Sequence, residues 1–261
     1  EQLNMHTDRQ ELTRQKYNKI AAQYVAGMIN MALYHDLCQK PVIMDALTEA
    51  AGKSLLDLAC GDGFYTRQFR TLVKAGPVSG SDLSAELISL AVSQENQKPL
   101  GIDYRVDDIL NLQESRTFNT VTAIHLLHYM PDPVRLETAM RNVYRLLEPG
   151  GRFVSFSFNP DFRIELHDRN DSEEKFGYYV SKAEEKNGGL VHFHPARVEG
   201  LVFEVYRWHK SCIEDIASVV GFTNIEWRSP FVAKVGLDEF GADFFENHIN
   251  NPQGKLLILT R

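Results

Sequence analysis

The chain has 261 residues, 43% hydrophobic and 24% charged, with 35 acidic against 28 basic side chains and a formal net charge of −7. This ordinary globular balance is long for one small domain and short for two, so one domain with an embellishment is expected. The acidic surplus argues against a nucleic-acid or anionic-membrane binder, and no apolar run approaches the roughly 20 residues a membrane span needs. Cys38, Cys60 and Cys212 are few, odd in number and without metal-site spacing. With a polar first segment that lacks a signal-peptide core, they fit reduced thiols in a cytoplasmic protein.

Residues 8–30 read as a helix, because Leu12, Tyr17, Ile20, Ala21, Tyr24, Val25 and Met28 recur at helical spacing. A second helix follows Pro41. SLLDLA is a short apolar strand, followed by Gly-Asp-Gly and the helical TRQFRTLVKA. PVSGSDLS supplies a second strand, and Ser84 is placed to cap the helix AELISLAVSQE. IDYRVDD and NTVTAIHLL are the third and fourth strands. DPVRLETAMRNVYRLLEPGG is an amphipathic helix closed by Pro-Gly-Gly, and RFVSFSF is a fifth strand. Strands alternating with helices of this length predict βαβ units and a parallel sheet covered on both faces. From Asn159 to about Lys210 the alternation fails, and acidic runs separate the aromatic-rich pieces FGYYV, LVHFHP and LVFEVYRWH. CIEDIASVVGF (helix), TNIEWRS (strand), LDEFGADFFENH (helix) and KLLILTR (strand) then close the chain.

Ligands of a parallel sheet bind beyond the carboxyl ends of its strands, at the switch point. Asp57 falls near the end of the first strand, with Gly61 and Gly63 in the turn that follows. Missing side chains there let the backbone adopt unusual φ and let a ligand lie against it. The next strand ends in Asp82, placed to accept hydrogen bonds from two ribose hydroxyls. A dinucleotide would need G-x-G-x-x-G, so that its pyrophosphate meets the helix N-terminus. Here the third position is Thr66, and Asp62 would face the phosphates. The turn suits a ribose-bearing ligand with a cationic centre, which carboxylates attract.

At these residues the chain resembles the class I S-adenosylmethionine (SAM)-dependent methyltransferases. LLDLACGDGFYTR is similar to their glycine-rich first motif, SDLS to the ribose motif of the second strand, and VDDILNL to the third motif. AIHLLHYM and LLEPGGRFVSFSF resemble the fourth motif and the late Pro-Gly-Gly turn. YNKIAAQY resembles the Y-D-x-I-A-x-x-Y segment of small-molecule members, with Asn18 in place of the aspartate. GFYTR, FSFNP and GADFFENHINNP further resemble the N-methyltransferases of toxoflavin-biosynthesis type. The resemblance implies an α/β, Rossmann-like fold: a seven-stranded, mostly parallel sheet with helices on both faces. Residues 1–52 would form an N-terminal helical lid, 53–158 the SAM-binding core, 159–210 a cap inserted after strand 5, and 211–261 the completion of the sheet.

The expected cofactor is SAM, leaving S-adenosylhomocysteine after in-line methyl transfer to a nitrogen or oxygen of a small, heteroaromatic or secondary-metabolite acceptor. The protein would work as a monomer or homodimer, without metal, nucleic acid or membrane. The resemblance places Tyr17, Tyr24, Asp57, Ala59, Gly61, Gly63, Arg67, Asp82, Leu83, Asp108, Ile109 and His125 around the cofactor. Asp107 rivals Asp108 for the adenine amine, and Arg67 is either a partner of the cofactor carboxylate or a solvated helix residue. Tyr17 and Tyr24, seven apart on one helix face, are a lid or core aromatics. His128 and Tyr24 are the candidate catalytic groups, His128 as a base at the best-placed end of a strand. The acceptor side would be lined by Tyr17, His128, Asn159, Tyr178, Tyr206 and Trp208. His192 and His194 share a strand face but have no further ligands at metal spacing. A dehydrogenase is disfavoured by Thr66 and Asp62. An O-methyltransferase or a SAM-binding module without catalysis remains open, whereas nucleic-acid methylation lacks an N/D-P-P-Y-type fourth motif.

Overall fold

The computed structural model describes residues 2–261, except the side chains of 2–13, 16 and 17; the expected lid residue Tyr17 therefore lies outside the described residues. Helix α1 (Gln2–Asn30) is followed by α2 (Ala32–Tyr34), a π-helical turn (His35–Gln39) and α3 (Lys40–Ala46). Pro41 sits in the first turn of α3, where a missing N–H costs nothing. Then β1 (Leu55–Leu58), α4 (Phe64–Thr71), β2 (Val78–Asp82), α5 (Ala85–Gln97), β3 (Asp103–Val106), β4 (Phe118–Ile124), α6 (Pro133–Leu146) and β5 (Leu147–Phe158) alternate as the periodicity predicts. Two caps expected of helices of this kind form: Ser84 Oγ accepts from Leu87 N–H at 3.2 Å, and Asp132 accepts from Arg135 N–H at 2.9 Å.

The seven strands lie in the order β3-β2-β1-β4-β5-β10-β9. The first five are parallel; β10 (Gly254–Thr260) runs antiparallel to both β5 and β9 (Asn224–Arg228). This is the α/β, mostly parallel sheet expected from the sequence. Strand β1 shows why both faces are covered. Leu56 and Leu58 join one apolar cluster with Val121, Phe153, α6 and α8 (Lys210–Val220), whereas Leu55 joins another with Phe69, Phe156 and Ile43. Each fully buried leucine contributes about 1.5–3 kcal/mol relative to exposure.

Residues 159–210 carry α7 (Arg169–Phe176) and a separate antiparallel sheet of β6 (Tyr178–Ala183), β7 (Gly189–Pro195) and β8 (Phe203–Arg207), in that spatial order. The aromatic-rich pieces are its strands. Val180, Val191, Phe203 and Val205 pack with Phe158 and Phe162, and Ile20 and Tyr24 of α1 close against them. The end of α1 is seated on this sheet: Asn30 Nδ2 donates to the Ala196 carbonyl at 3.1 Å.

One expected helix is broken. LDEFGADFFENH becomes α9 (Lys234–Phe240), a short 3-10 turn and α10 (Glu246–Asn250), because Gly241 adopts φ 79° and ends the first piece. Among the described residues, no helix is long and apolar enough to cross a membrane.

Candidate active site

A cavity of about 550 Å³ opens at the carboxyl ends of β1, β2 and β4, beneath α1 and the small sheet. That volume is in the range of small-molecule sites. Of the expected residues, Tyr24, Ala59, Gly61, Asp82, Leu83, Asp107, Asp108, Ile109, His125, His128 and Tyr206 border it. Asp57, Gly63, Arg67, Asn159, Tyr178 and Trp208 do not.

The loop after β1 explains the first group. Ala59, Gly61 and Gly63 all have positive φ (55°, 56° and 84°), so the chain is coiled tightly against the sheet edge. Ala59 adopts this conformation despite its Cβ, at a cost of about 1–2 kcal/mol. Asp82 holds the coil in place: Gly61 N–H donates to one carboxylate oxygen at 2.8 Å, and Ser84 N–H to the other at 2.9 Å. Burial pushes the Asp82 carboxyl up, while those two amides pull it back. Gly63 has a different reason to be glycine. A Cβ there would fall 2.5 Å from the Tyr104 hydroxyl, so Gly63 admits an aromatic support under the loop rather than a ligand.

Asp57 lies beneath the cavity floor, 1% exposed, and accepts from Thr66 Oγ1 at 2.6 Å and Thr122 Oγ1 at 2.7 Å. It orients the loop and α4 but does not border the cavity where an ammonium group would need it. Thr66 stands at the third glycine position of the dinucleotide pattern because it ties α4 to β1 here. Burial raises the Asp57 carboxyl to about 7 against the two hydroxyl bonds that lower it. The folded value exceeds the unfolded value of 3.8, so stability from this group is full below pH 3.8 and is lost as pH rises to about 7. Asp57→Asn removes the titration and keeps the shape. Relative to wild type, the variant is expected to gain unfolding free energy between pH 5 and pH 8 in urea melts. A difference that stays constant over that range would contradict the buried, proton-holding carboxyl.

The adjacent acids after β3 are told apart by their partners. Both oxygens of Asp107 are engaged by the amides of Asp108 (2.9 Å), Gln113 (3.0 Å) and Glu114 (3.0 Å), which builds the turn. Asp108 accepts from Leu110 N–H at 2.9 Å and borders the cavity beside it. Arg67 is corrected. Its guanidinium pairs with Glu95 at 2.7 Å and donates to the Lys98 carbonyl at 2.7 Å, clamping α4 to the end of α5.

Helix α1 forms the roof. Ser84 Oγ donates to Asn18 Oδ1 at 2.8 Å, which pins the helix over the N-terminus of α5. Tyr24 lies over Gly61, where an added Cβ would come 3.6 Å from its hydroxyl. Burial, and then the Asp62 charge, hold the Tyr24 phenol well above its ordinary value. The phenol is therefore neutral near pH 7 and not poised as a base.

Three histidines border the cavity. His125, at φ 65° after β4, has Nε2 3.0 Å from Gln39 Oε1, and Gln39 in turn donates to the Tyr65 hydroxyl at 2.8 Å. His128 Nδ1 accepts from Phe158 N–H at 2.9 Å, so its neutral ring carries the proton on Nε2 and presents a donor. That geometry removes the expected role of His128 as a base. Burial lowers His125 to about 4 and His128 well below the usual range, so both rings are neutral near pH 7. His35, in the π-helical turn, is the third. Nothing in its sequence surroundings singled it out.

The remaining expected acceptor contacts lie outside the cavity. Trp208 is buried in the main core, with Nε1 donating to the Met130 carbonyl at 3.0 Å. Tyr178 packs between Tyr34 and Phe193 at ring distances of 5.0 and 5.1 Å. Asn159 donates to the Pro252 carbonyl at 2.8 Å and accepts from Asp161 N–H at 3.0 Å, and its backbone N–H donates to the Gln253 carbonyl at 2.8 Å. This junction brings Phe158 and Gln253 to the cavity wall, which Met28, Met31 and Phe193 also line; sequence reasoning had assigned none of these five to the site. His192 lies 3.6 Å from Glu204 and His194 2.7 Å from Ser181; among the described residues no three His, Cys, Asp or Glu side chains gather as a metal site.

Residues 55–151 match the family described as a methyltransferase domain. The ubiquinone biosynthesis O-methyltransferase of Coxiella burnetii is 29% identical over 171 residues, covering 57% of this chain and 70% of that protein. The ubiquinone/menaquinone biosynthesis C-methyltransferase of Bdellovibrio bacteriovorus is 27% identical over 159 residues, covering 60% and 66%. Among solved structures, a SAM-dependent methyltransferase from Mesorhizobium loti superposes with a TM-score of 0.58 at 22% identity, covering 85% of this chain and 96% of that one. The DhpI complex with SAM and HEP gives 0.60 at 19% identity, covering 97% and 96%. The motif order, the cavity at the switch point and these matches agree: residues 55–151 match a methyltransferase domain, and the chain is a SAM-dependent methyltransferase enzyme.

Proposed function

We propose that this enzyme transfers a methyl group to an oxygen or nitrogen of a small, largely apolar acceptor. The observation that carries the reading is one continuous cavity with two unlike ends. Asp82, Asp108 and the bare backbone of Gly61 border one end; Met28, Met31, Phe158 and Phe193 border the other. The residues at the first end suit the cofactor, whose bound form supplies an electrophilic methyl group. Asp82 would accept from the ribose hydroxyls and Asp108 from the adenine amine, with Leu83 and Ile109 placed to flank the base. Tyr24 covers the loop, and the apolar chamber excludes water while it aligns the acceptor. Alignment of this kind is worth on the order of 7–11 kcal/mol.

The curated relatives are named for ubiquinone biosynthesis, and an apolar ring compound suits a chamber of thioethers and phenyl rings. The toxoflavin-type likeness favours a heteroaromatic acceptor within the same class. It rests partly on FSFNP and INNP, the two segments that meet at Asn159 and Pro252 beside the chamber. Incubation with methyl-tritiated SAM and a metabolite extract is expected to place label in a low-mass, solvent-extractable product. Label confined to acid-precipitable macromolecules would overturn the small-molecule reading.

A further inference from the structure

Three imidazoles border the cavity, and two of them are committed. His125 is held by Gln39, and His128 is held by the Phe158 amide. His35 is not: both of its ring nitrogens lack a hydrogen-bond partner, although the residue is only 2% exposed. Buried polar groups are nearly always paired, and an unpaired one costs the full desolvation of that group. Its neighbours offer no relief. The Tyr34 and Phe64 rings face it at 5.5 and 6.1 Å, and the cavity is the open space it borders. It also opens the π-helical turn, an insertion that re-aims side chains and recurs at functional sites.

We propose that His35 is a catalytic residue that binds the nucleophilic hydroxyl of a neutral aromatic acceptor and takes its proton. The proposal rests on the small-molecule reading above and deepens it toward oxygen. As the acceptor O–H bond breaks, the proton passes to a ring nitrogen of His35. The oxygen lone pair forms the new O–CH₃ bond, and the electron pair of the broken S–CH₃ bond stays on sulfur as a thioether. The pocket thus holds one positive charge before and after the step, first on sulfur and then on imidazole, which limits the cost of charging a buried ring. Burial lowers the His35 ring to about 3, so it rests neutral near pH 7 and takes the proton only in step with loss of the sulfonium charge. Gln253 borders the same cavity and is anchored to the Tyr34 hydroxyl, next in the chain to His35.

The test compares wild type with His35→Phe and His35→Asn, using 4-hexylphenol, 4-hexylcatechol and 4-hexylpyridine as probes. Wild type is expected to methylate at least one of the hydroxylated probes. Both variants should bind SAM within about threefold of wild type by calorimetry, and lose roughly 10²-fold or more in kcat at saturating phenol or catechol. His35→Phe removes two unpaired polar atoms, so its melting temperature should rise by about 2–6 °C while turnover falls. A structural histidine would do the opposite. The proposal is overturned if His35→Phe keeps kcat within threefold, if it melts below wild type, or if only the pyridine accepts the methyl group. Failure of wild type to bind SAM would instead remove the underlying reading, and this one with it.

Discussion

Asp82→Ala is expected to weaken SAM binding by about 10²-fold or more while the protein stays folded. Each hydrogen bond from a ribose hydroxyl to an ionised carboxylate is worth roughly 1.5–3 kcal/mol, and the diol would lose two. The substitution also releases the amides of Gly61 and Ser84, so the loop that approaches the cofactor loses its own clasp. The fold survives because the same carboxylate is held above its ordinary range by burial, and losing it removes a desolvation cost along with two bonds. Asp82→Asn, which keeps one acceptor oxygen, should fall between. Calorimetric titration with S-adenosylhomocysteine checks the series, and equal affinities across all three proteins would contradict the ribose assignment.

Gly177→Ala should be the most destabilising single-methyl change at the junction of α1 and the small sheet. Gly177 ends α7 at φ 73°, where an alanine is disfavoured by roughly 1 kcal/mol. Its Cβ would stand 2.2 Å from the Asn30 carbonyl oxygen and 2.8 Å from the carbonyl carbon. Those are backbone atoms at the end of α1 and cannot swing aside. The Ala196 amide, bonded to Gly177 O at 2.7 Å, and the Asn30 side chain on Ala196 O would have to move together. A total near 3 kcal/mol is expected, or a fall of about 6–12 °C in melting temperature for a chain of this size. Because α1 also carries Tyr24, SAM affinity should drop as well. A melt within 2 °C of wild type would mean that α1 is not seated on this sheet.

The sequence made the nucleotide half legible because its signals are local. Alternating strands and helices, paired glycines and a strand-end acid lie within a few residues of one another, and each periodicity survives without tertiary help. The acceptor half was hidden for the opposite reason. His35 and Gln39 sit in a π-helical turn, which shifts the phase of helical spacing and leaves no pattern. Gln253 is held at the cavity by Asn159, 94 positions earlier in the chain (253 − 159), and by Tyr34, farther away still. Adjacent Asp107 and Asp108 were indistinguishable until their amide partners were known, and Gly63 looked like Gly61 although it yields to Tyr104 and not to a ligand. Arg67 and Trp208 were misplaced because a long or broad side chain next to a motif says nothing about which way it turns.

The reversed final strand has a consequence for how this enzyme is assembled. A parallel sheet collects only strand ends at its ligand edge, but β10 runs the other way and delivers its beginning there. With seven residues at about 3.3 Å each, the opposite direction would carry Gln253 more than 20 Å away. Gln253 therefore meets Met28, Met31 and His35 across one chamber, with the loop after β1 between them in sequence. Segments more than two hundred positions apart thus shape the acceptor chamber without forming part of the loop that faces the methyl donor.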